Sequence, residues 1–224
     1  MSKYSIEDTT LTNIANAIRE KKETTDVIPV NAFATEIASI EGGSSKYAPR
    51  HISFYGYTGT ELDYELENLD LSNISSADYM FYSTRLKTLN LTDVDVPNLT
   101  TTQYMFNACT TQEINLSNWN VPNLNSTRSM FYNTTVKRVN LSGWETPNLT
   151  TGNQMFHGVS NLVFLDIRNM TFDKVTSYSN MFNLSKKDCL IIVKDETQKE
   201  WITSKFTTLT NVKTLTEYIA EGGE

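Results

Sequence analysis

Leu89-Asn-Leu-Thr92, Pro97-Asn-Leu-Thr100 and Tyr104-Met-Phe106 make up one phrase, and the phrase returns. The second copy runs Ile114-Asn-Leu-Ser117, Pro122-Asn-Leu-Asn125, Ser129-Met-Phe131; the third runs Val139-Asn-Leu-Ser142, Pro147-Asn-Leu-Thr150, Gln154-Met-Phe156. A divergent copy keeps the frame as Leu165-Asp-Ile-Arg168, Asp173-Lys-Val175 and Asn180-Met-Phe182. A shortened first copy leads from Leu69-Asp-Leu-Ser72 to Met80-Phe81. Met-Phe therefore begins at Met80, Met105, Met130, Met155 and Met181, in steps of 25, 25, 25 and 26 residues. A fixed period of this size is the signature of a solenoid. Solenoids offer an extended surface of equivalent positions, so binding or scaffolding comes to mind before catalysis.

Strand alternation assigns directions within each copy. With Leu89 and Leu91 inward, Ile114 and Leu116, Val139 and Leu141, and Leu165 and Ile167 follow. Val94, Trp119, Trp144 and Met170 add a further apolar group per copy, as do Leu99, Leu124, Leu149 and Val175. One turn cannot shield these groups, but stacked turns bury each other's, and the Met-Phe pairs belong to that core. Outward columns follow from the same alternation: Asp70, Asn90, Asn115, Asn140 and Asp166 form one, which would stack into an amide ladder between parallel strands.

The 224 residues allow one or two domains with a substantial core. Lys+Arg is 19 against Asp+Glu 26, a net charge of −7 with no basic run, which argues against nucleic acid or an anionic membrane as partner. No stretch approaches the length of a membrane span, and the first residues lack the apolar core of a signal peptide, so synthesis and assembly in a cytoplasm are expected. Cys109 and Cys189 have no metal-ligand spacing, and His51 and His157 have no nucleophile partner in a recognisable motif. No catalytic, cofactor-binding or metal site is predicted, and the protein is not expected to be an enzyme.

Around the repeats the chain divides into four parts. Residues 1–41 carry two apolar stripes, with Leu11, Ile14 and Ile18 at helical spacing and Phe33 and Ile37 after Pro29. Two short helices cannot bury their faces alone, so those five residues are predicted to form an assembly interface. Residues 42–46 are a Gly/Ser linker. Residues 47–188 are the solenoid, opened by an aromatic strand at His51-Ile-Ser-Phe-Tyr-Gly-Tyr57. Residues 189–224 break the period and are predicted to cap its open end, with strands at Leu190–Val193 and Asn211–Leu215 and a helix over Glu196–Phe206. The expected class is α+β: a leucine-rich-repeat-like solenoid of about five 25-residue repeats with a C-terminal αβ cap and a small N-terminal helical module.

The repeat, Leu-Asn-Leu-Ser-x-Trp followed by Asn-Leu-Thr and Met-Phe, resembles the BspA-like branch of the leucine-rich repeats over about residues 66–188. That family occurs in bacterial surface adhesins and in tail and fibre proteins of phages of Gram-positive bacteria. Thr10-Leu-Thr-Asn-Ile-Ala-Asn-Ala-Ile-Arg19, with Ile28-Pro-Val-Asn-Ala-Phe33, is similar to a short N-terminal module of such phage structural proteins; Asn16 stands where that module more often has Asp. The resemblance implies a virion protein, a capsid or tail fibre held by its N-terminal helices to other virion proteins. It would form a homo-oligomer, a trimer by preference, and display the repeats for host adsorption, to cell-wall polysaccharide or a surface protein. A capsid decoration or baseplate component with virion contacts only is the alternative, and a bacterial adhesin the next.

Two surfaces compete for the contact. One is the strand face with Asn90, Asn115 and Asn140. The other flanks Met-Phe, where Tyr79, Tyr82, Tyr104, Tyr132 and His157 precede or follow the buried pair. Asn ladders satisfy their own hydrogen bonds, whereas tyrosine rings offer rigid contact to sugar faces, so the tyrosine flank is preferred.

Overall fold

A computed structural model describes residues 71–85, 89–91 and 95–223. Six short strands form one parallel sheet in chain order: β1 (Leu89–Asn90), β2 (Glu113–Asn115), β3 (Arg138–Asn140), β4 (Phe164–Asp166), β5 (Leu190–Val193) and β6 (Val212–Thr214). Register is set repeat on repeat, with Leu89 opposite Ile114, Ile114 opposite Val139, Val139 opposite Leu165 and Leu165 opposite Ile191. A second line of parallel bridges joins Ser76, Thr101, Ser126, Thr151 and Ser177 on another side of the coil. The chain is thus a parallel β-solenoid. Helix enters the described residues only beyond Val193, as α1 (Glu196–Lys205) and α2 (Leu215–Ala220). Among the described residues the helical part of the expected α+β class is confined to these two helices of the C-terminal cap. The predicted helical module with Leu11, Ile14, Ile18, Phe33 and Ile37, the strand at 51–57 and the first copy's Leu69 and Asp70 lie outside the described residues.

The inward columns are as the alternation requires. Leu91, Ile114, Leu116, Val139, Leu141, Leu165 and Ile167 are buried, as are Trp119, Trp144 and Met170. The Met-Phe pairs form continuous stacks: Phe81, Phe106, Phe131, Phe156 and Phe182 follow one another at centroid spacings of 5.2, 5.4, 5.3 and 5.4 Å. Phe106, Phe131 and Phe156 are each covered above and below by their own equivalents, which is how a thin coil reaches interior packing.

The Pro-Asn-Leu segment shapes the three copies that carry it, at Pro97, Pro122 and Pro147. Proline suits the second position of a type I turn, and the turn closes as Leu99 N–H donates to Val96 O at 3.1 Å and Leu124 N–H to Val121 O at 3.1 Å. The following Asn stitches its turn to the previous one. Asn98, Asn123 and Asn148 each donate Nδ2 to a carbonyl of the preceding copy, Ser72, Pro97 and Pro122, at 2.7, 3.1 and 3.0 Å. The Thr adds a second stitch, Oγ1 of Thr100 to Ser75 O at 2.8 Å.

The strand-face asparagines behave otherwise than the ladder expectation. Asn115 and Asn140 accept from the backbone N–H two residues on, Ser117 and Ser142, at 3.1 and 3.0 Å, and Asp166 does the same for Arg168 at 3.1 Å. The short polar side chain finds a backbone donor within its own turn, an Asx turn that ends the strand, before it can reach its neighbour along the stack.

The end of the stack is covered by the cap. Asp195 caps α1, accepting from Gln198 N–H, and the helix lays Trp201 flat on Phe172 at 4.8 Å and brings Phe206 to Phe182 at 5.3 Å. α2 was not foreseen. It starts with a capping box of Thr214 and Glu217, and Glu217 takes Lys199 of α1 at 2.6 Å. Its Tyr218 reaches Phe164, with ring centroids 6.3 Å apart. Ile192, which continues the Asn115–Asn140–Asp166 column, is consequently buried, so the strand face is closed at its C-terminal end.

Candidate recognition surface

Around each Met-Phe the backbone alternates between two kinds of hydrogen bond. Tyr79, Phe81 and Ser83 donate across to the next turn, to Gln103, Met105 and Asn107 carbonyls at 2.9, 2.8 and 2.8 Å. Met80, Tyr82 and Thr84 donate back within their own turn, to Ala77, Tyr79 and Phe81, each at 3.2 Å. Two residues per copy pay for this with a left-handed backbone: the one before Met (Tyr79 at φ 60°, Tyr104 at 56°) and the one two after Phe (Ser83 at 53°, Ala108 at 54°, Asn133 at 54°). Non-glycine residues are strained there. Only one copy carries glycine at the second place, Gly158 at φ 70°, where a Cβ would come within 2.2 Å of Asn133 Oδ1. Ala108 is exposed, so Ala108→Gly removes the strain and no buried contact. Its expected effect is a gain of about 0.5–1 kcal/mol in a denaturant melt, after the extra freedom of glycine in the unfolded chain is subtracted. A loss would show that the exposed methyl is held by something outside the described contacts.

The same alternation turns Met and Phe inward and sets the residues on either side in two adjacent rows. The first holds Tyr79, Tyr104, Ser129, Gln154 and Asn180, the second Tyr82, Asn107, Tyr132, His157 and Asn183. Ser129 and Asn107 are buried, so the other members carry the solvent-facing surface. The tyrosines named from sequence therefore fall into two clusters. Tyr79 stacks on Tyr104 at 4.9 Å, nearly parallel, and lies tilted to Tyr82 at 5.6 Å. Tyr132 stacks on His157 at 5.1 Å. Tyr79 is 43% exposed, and Tyr82, Tyr104, Tyr132 and His157 are half-buried, so each presents part of a ring to solvent.

Charge at this surface is sparse. Arg128 sits 6.0 Å from the centre of the Tyr104 ring. Asp78 is committed to the backbone, accepting from Gln103 N–H at 2.7 Å and Thr101 Oγ1 at 2.8 Å. Burial, then the neighbouring Tyr104 and Asp78, push the Tyr79 phenol above its ordinary value, so it carries its proton at neutral pH. The His157 Nδ1 faces Asn183 Nδ2 at 3.3 Å. The two cysteines belong to the core: burial pushes the Cys109 thiol up to about 11 and Cys189 up to about 12. Among the described residues no group of three His, Cys, Asp or Glu could hold a metal ion, and no helix is long and apolar enough to cross a membrane.

The repeated turns also carry a family likeness. Residues 51–164, just over half of the 224, match a family described as Mycoplasma protein of unknown function, DUF285. The chain belongs to the DUF285 family. That agrees with the BspA-like reading of the repeat; a phage origin is no part of it. No curated protein and no solved structure matches the chain. The DUF285 match ends at Phe164, whereas the Met-Phe stack continues through Phe182, so another copy of the repeat lies between the matched segment and the cap.

Sequence reasoning missed what the cap adds to this surface. Tyr178, Trp201, Lys205 and Phe206 come together beside Asn180 and Asn183, with the Lys205 Nζ 4.8 Å from the Trp201 ring and 5.8 Å from Tyr178. Tyr178 is in the last repeat and the other three in or just after α1. No periodic signal links them, because the cap stands outside the repeat.

Proposed function

We propose that the solenoid is a display module whose tyrosine-rich flank adheres to a cell envelope, with wall polysaccharide as the preferred ligand. The observation that supports this most is the pair of ring stacks, Tyr79–Tyr104 and Tyr132–His157, held rigid by the coil with ring surface left in solvent. Ordered aromatic surface lowers the entropic cost of binding, and ring faces match the apolar faces of sugars. The competing strand face has Asn115 and Asn140 committed to Asx turns and one end closed by α2.

The carrier of the module in this reading is a phage particle. The solenoid is presented as a capsid or tail fibre, with residues 1–41 as the attachment and oligomerisation device; the support is the likeness of that segment to phage structural modules. A bacterial adhesin is the second reading, favoured by the description of DUF285 as a Mycoplasma protein. Both readings place the same flank against a cell.

The test is Tyr79→Ala combined with Tyr132→Ala, assayed for binding of the purified full chain to cells and for melting temperature. Binding will fall by about tenfold or more, as loss of aromatic anchors does at other interfaces, with a change in melting temperature of only a few degrees. Unchanged binding together with a large stability loss would return these rings to the core and favour a virion component that contacts only other virion proteins.

A further inference from the structure

Where the last Met-Phe turn meets α1, the two border an open cleft of about 360 Å³, a size suited to a small ligand. Tyr178 and Phe206 line it edge to face, centroids 6.3 Å apart at 81°. Asn180 and Asn183 line it too, and they are the final members of the two outward rows, so the rows lead into the cleft. Asn183 is fixed by His157 at 3.3 Å and by Lys187 Nζ at 3.2 Å. The side chains of Asn180 and Thr207 have no hydrogen-bond partner among the described residues and are exposed. Among the described residues the one charged group in the lining is Lys205, held in place over the Trp201 and Tyr178 rings by cation–π attraction. No carboxylate among the described residues lines the cleft, although the chain as a whole carries a net charge of −7.

We propose that this cleft is a subsite for an anionic sugar unit, carboxylate- or phosphate-bearing, belonging to a saccharide chain that runs along the tyrosine rows. The ring edges of Tyr178 and Phe206 take the apolar part of the sugar. Asn180 and Thr207 supply hydrogen bonds to its hydroxyls, and Lys205 pairs with the acid. The position in the chain rests on the envelope-binding reading of the rows; the preference for an acidic sugar rests on the cleft itself.

The full chain is titrated with D-glucuronate, D-glucose 6-phosphate and D-glucose by saturation-transfer NMR, with tryptophan fluorescence in parallel. Trp119 and Trp144 are buried, so a fluorescence change reports on Trp201 beside Lys205. At least one acidic sugar will bind about tenfold or more tightly than glucose, and Lys205→Gln will remove that advantage, as expected for loss of one charged hydrogen bond. Asn180→Asp, which keeps the shape and adds a negative charge, will weaken the acid but not glucose. The two acids separate a carboxylate from a phosphate ligand. Equal affinity for glucose, an unchanged preference in both variants, or no saturable binding by any of the three would overturn the proposal. Cell binding separates the two levels. If Lys205→Gln leaves it intact while the Tyr79/Tyr132 double variant loses it, the cleft fails and the tyrosine surface stands; if both retain it, the surface reading fails with the cleft.

Discussion

Trp119→Ala will cost the solenoid about 3–5 kcal/mol, read as a fall in urea midpoint at nearly constant slope. The indole is 1% exposed and stacks on Trp144 at 6.2 Å, and its Nε1 donates to Leu91 O of the previous turn at 2.8 Å. Truncation therefore opens a cavity and leaves a buried carbonyl without its donor in one stroke. Trp144 repeats the arrangement, its Nε1 donating to Leu116 O at 3.0 Å, so the damage falls on the coupling between turns as much as on one turn. In a stack held by nearest-neighbour contacts, a weakened central interface lowers the cooperativity of the whole. Trp201→Ala is the internal comparison: that ring is half-buried in the cap and will cost less. A loss below about 1 kcal/mol at Trp119 would contradict its place in the core.

Gly143→Ala will be damaging for the opposite reason. A Cβ there would stand 1.8 Å from Ser117 O and 3.0 Å from Ser117 C, both backbone atoms of the preceding turn. A side chain can swing away from such an overlap, but a hydrogen-bonded backbone can yield only by separating the turns. A loss of about 3 kcal/mol or more is expected in the same melt. The neighbouring copies show what the glycine replaces. The position one repeat on is Asn169, whose Nδ2 donates to Ser142 O at 2.6 Å, the equivalent carbonyl. In the Gly143 turn the backbone itself occupies the space that an amide bridges elsewhere. Gly143→Asn therefore discriminates: if the turn can retreat to the route taken at Asn169, Asn will be tolerated better than Ala, because it regains the bond to Ser117 O. Equal damage from both would show that the close approach is fixed by the rest of the turn.

The inward half of the repeat was legible because it rests on a rule with no long-range input. Side chains alternate along a strand, identical turns must present identical residues to one another, and so Leu116, Trp119, Leu124 and Phe131 could be placed inside from the period alone. The outward half was legible only in part. The alternation put Asn115 and Asn140 outside, but whether an amide bonds along the stack or to its own turn depends on the path of the turn, which spacing does not resolve. The tyrosines were likewise named from their position beside Met-Phe. Their division into a Tyr79–Tyr82–Tyr104 cluster and a Tyr132–His157 pair follows from the left-handed residues that set the path of the turn.

The solenoid, its period, the Leu, Trp and Met-Phe columns of its core and the point near residue 189 where the repeat stops all follow from the order of residues. How that stop is used follows only from the packing of the cap. Phe172 and Phe182 expose the last turn's apolar end, and burying that end against Trp201 and Phe206 is what draws α1 across it. The same docking brings Lys205 beside Tyr178 and Asn180, and lets α2 fold over Ile192. These contacts join residues on opposite sides of the boundary between repeat and cap. Periodicity carries no information across that boundary, because the cap meets the stack once and has no equivalent to be compared with.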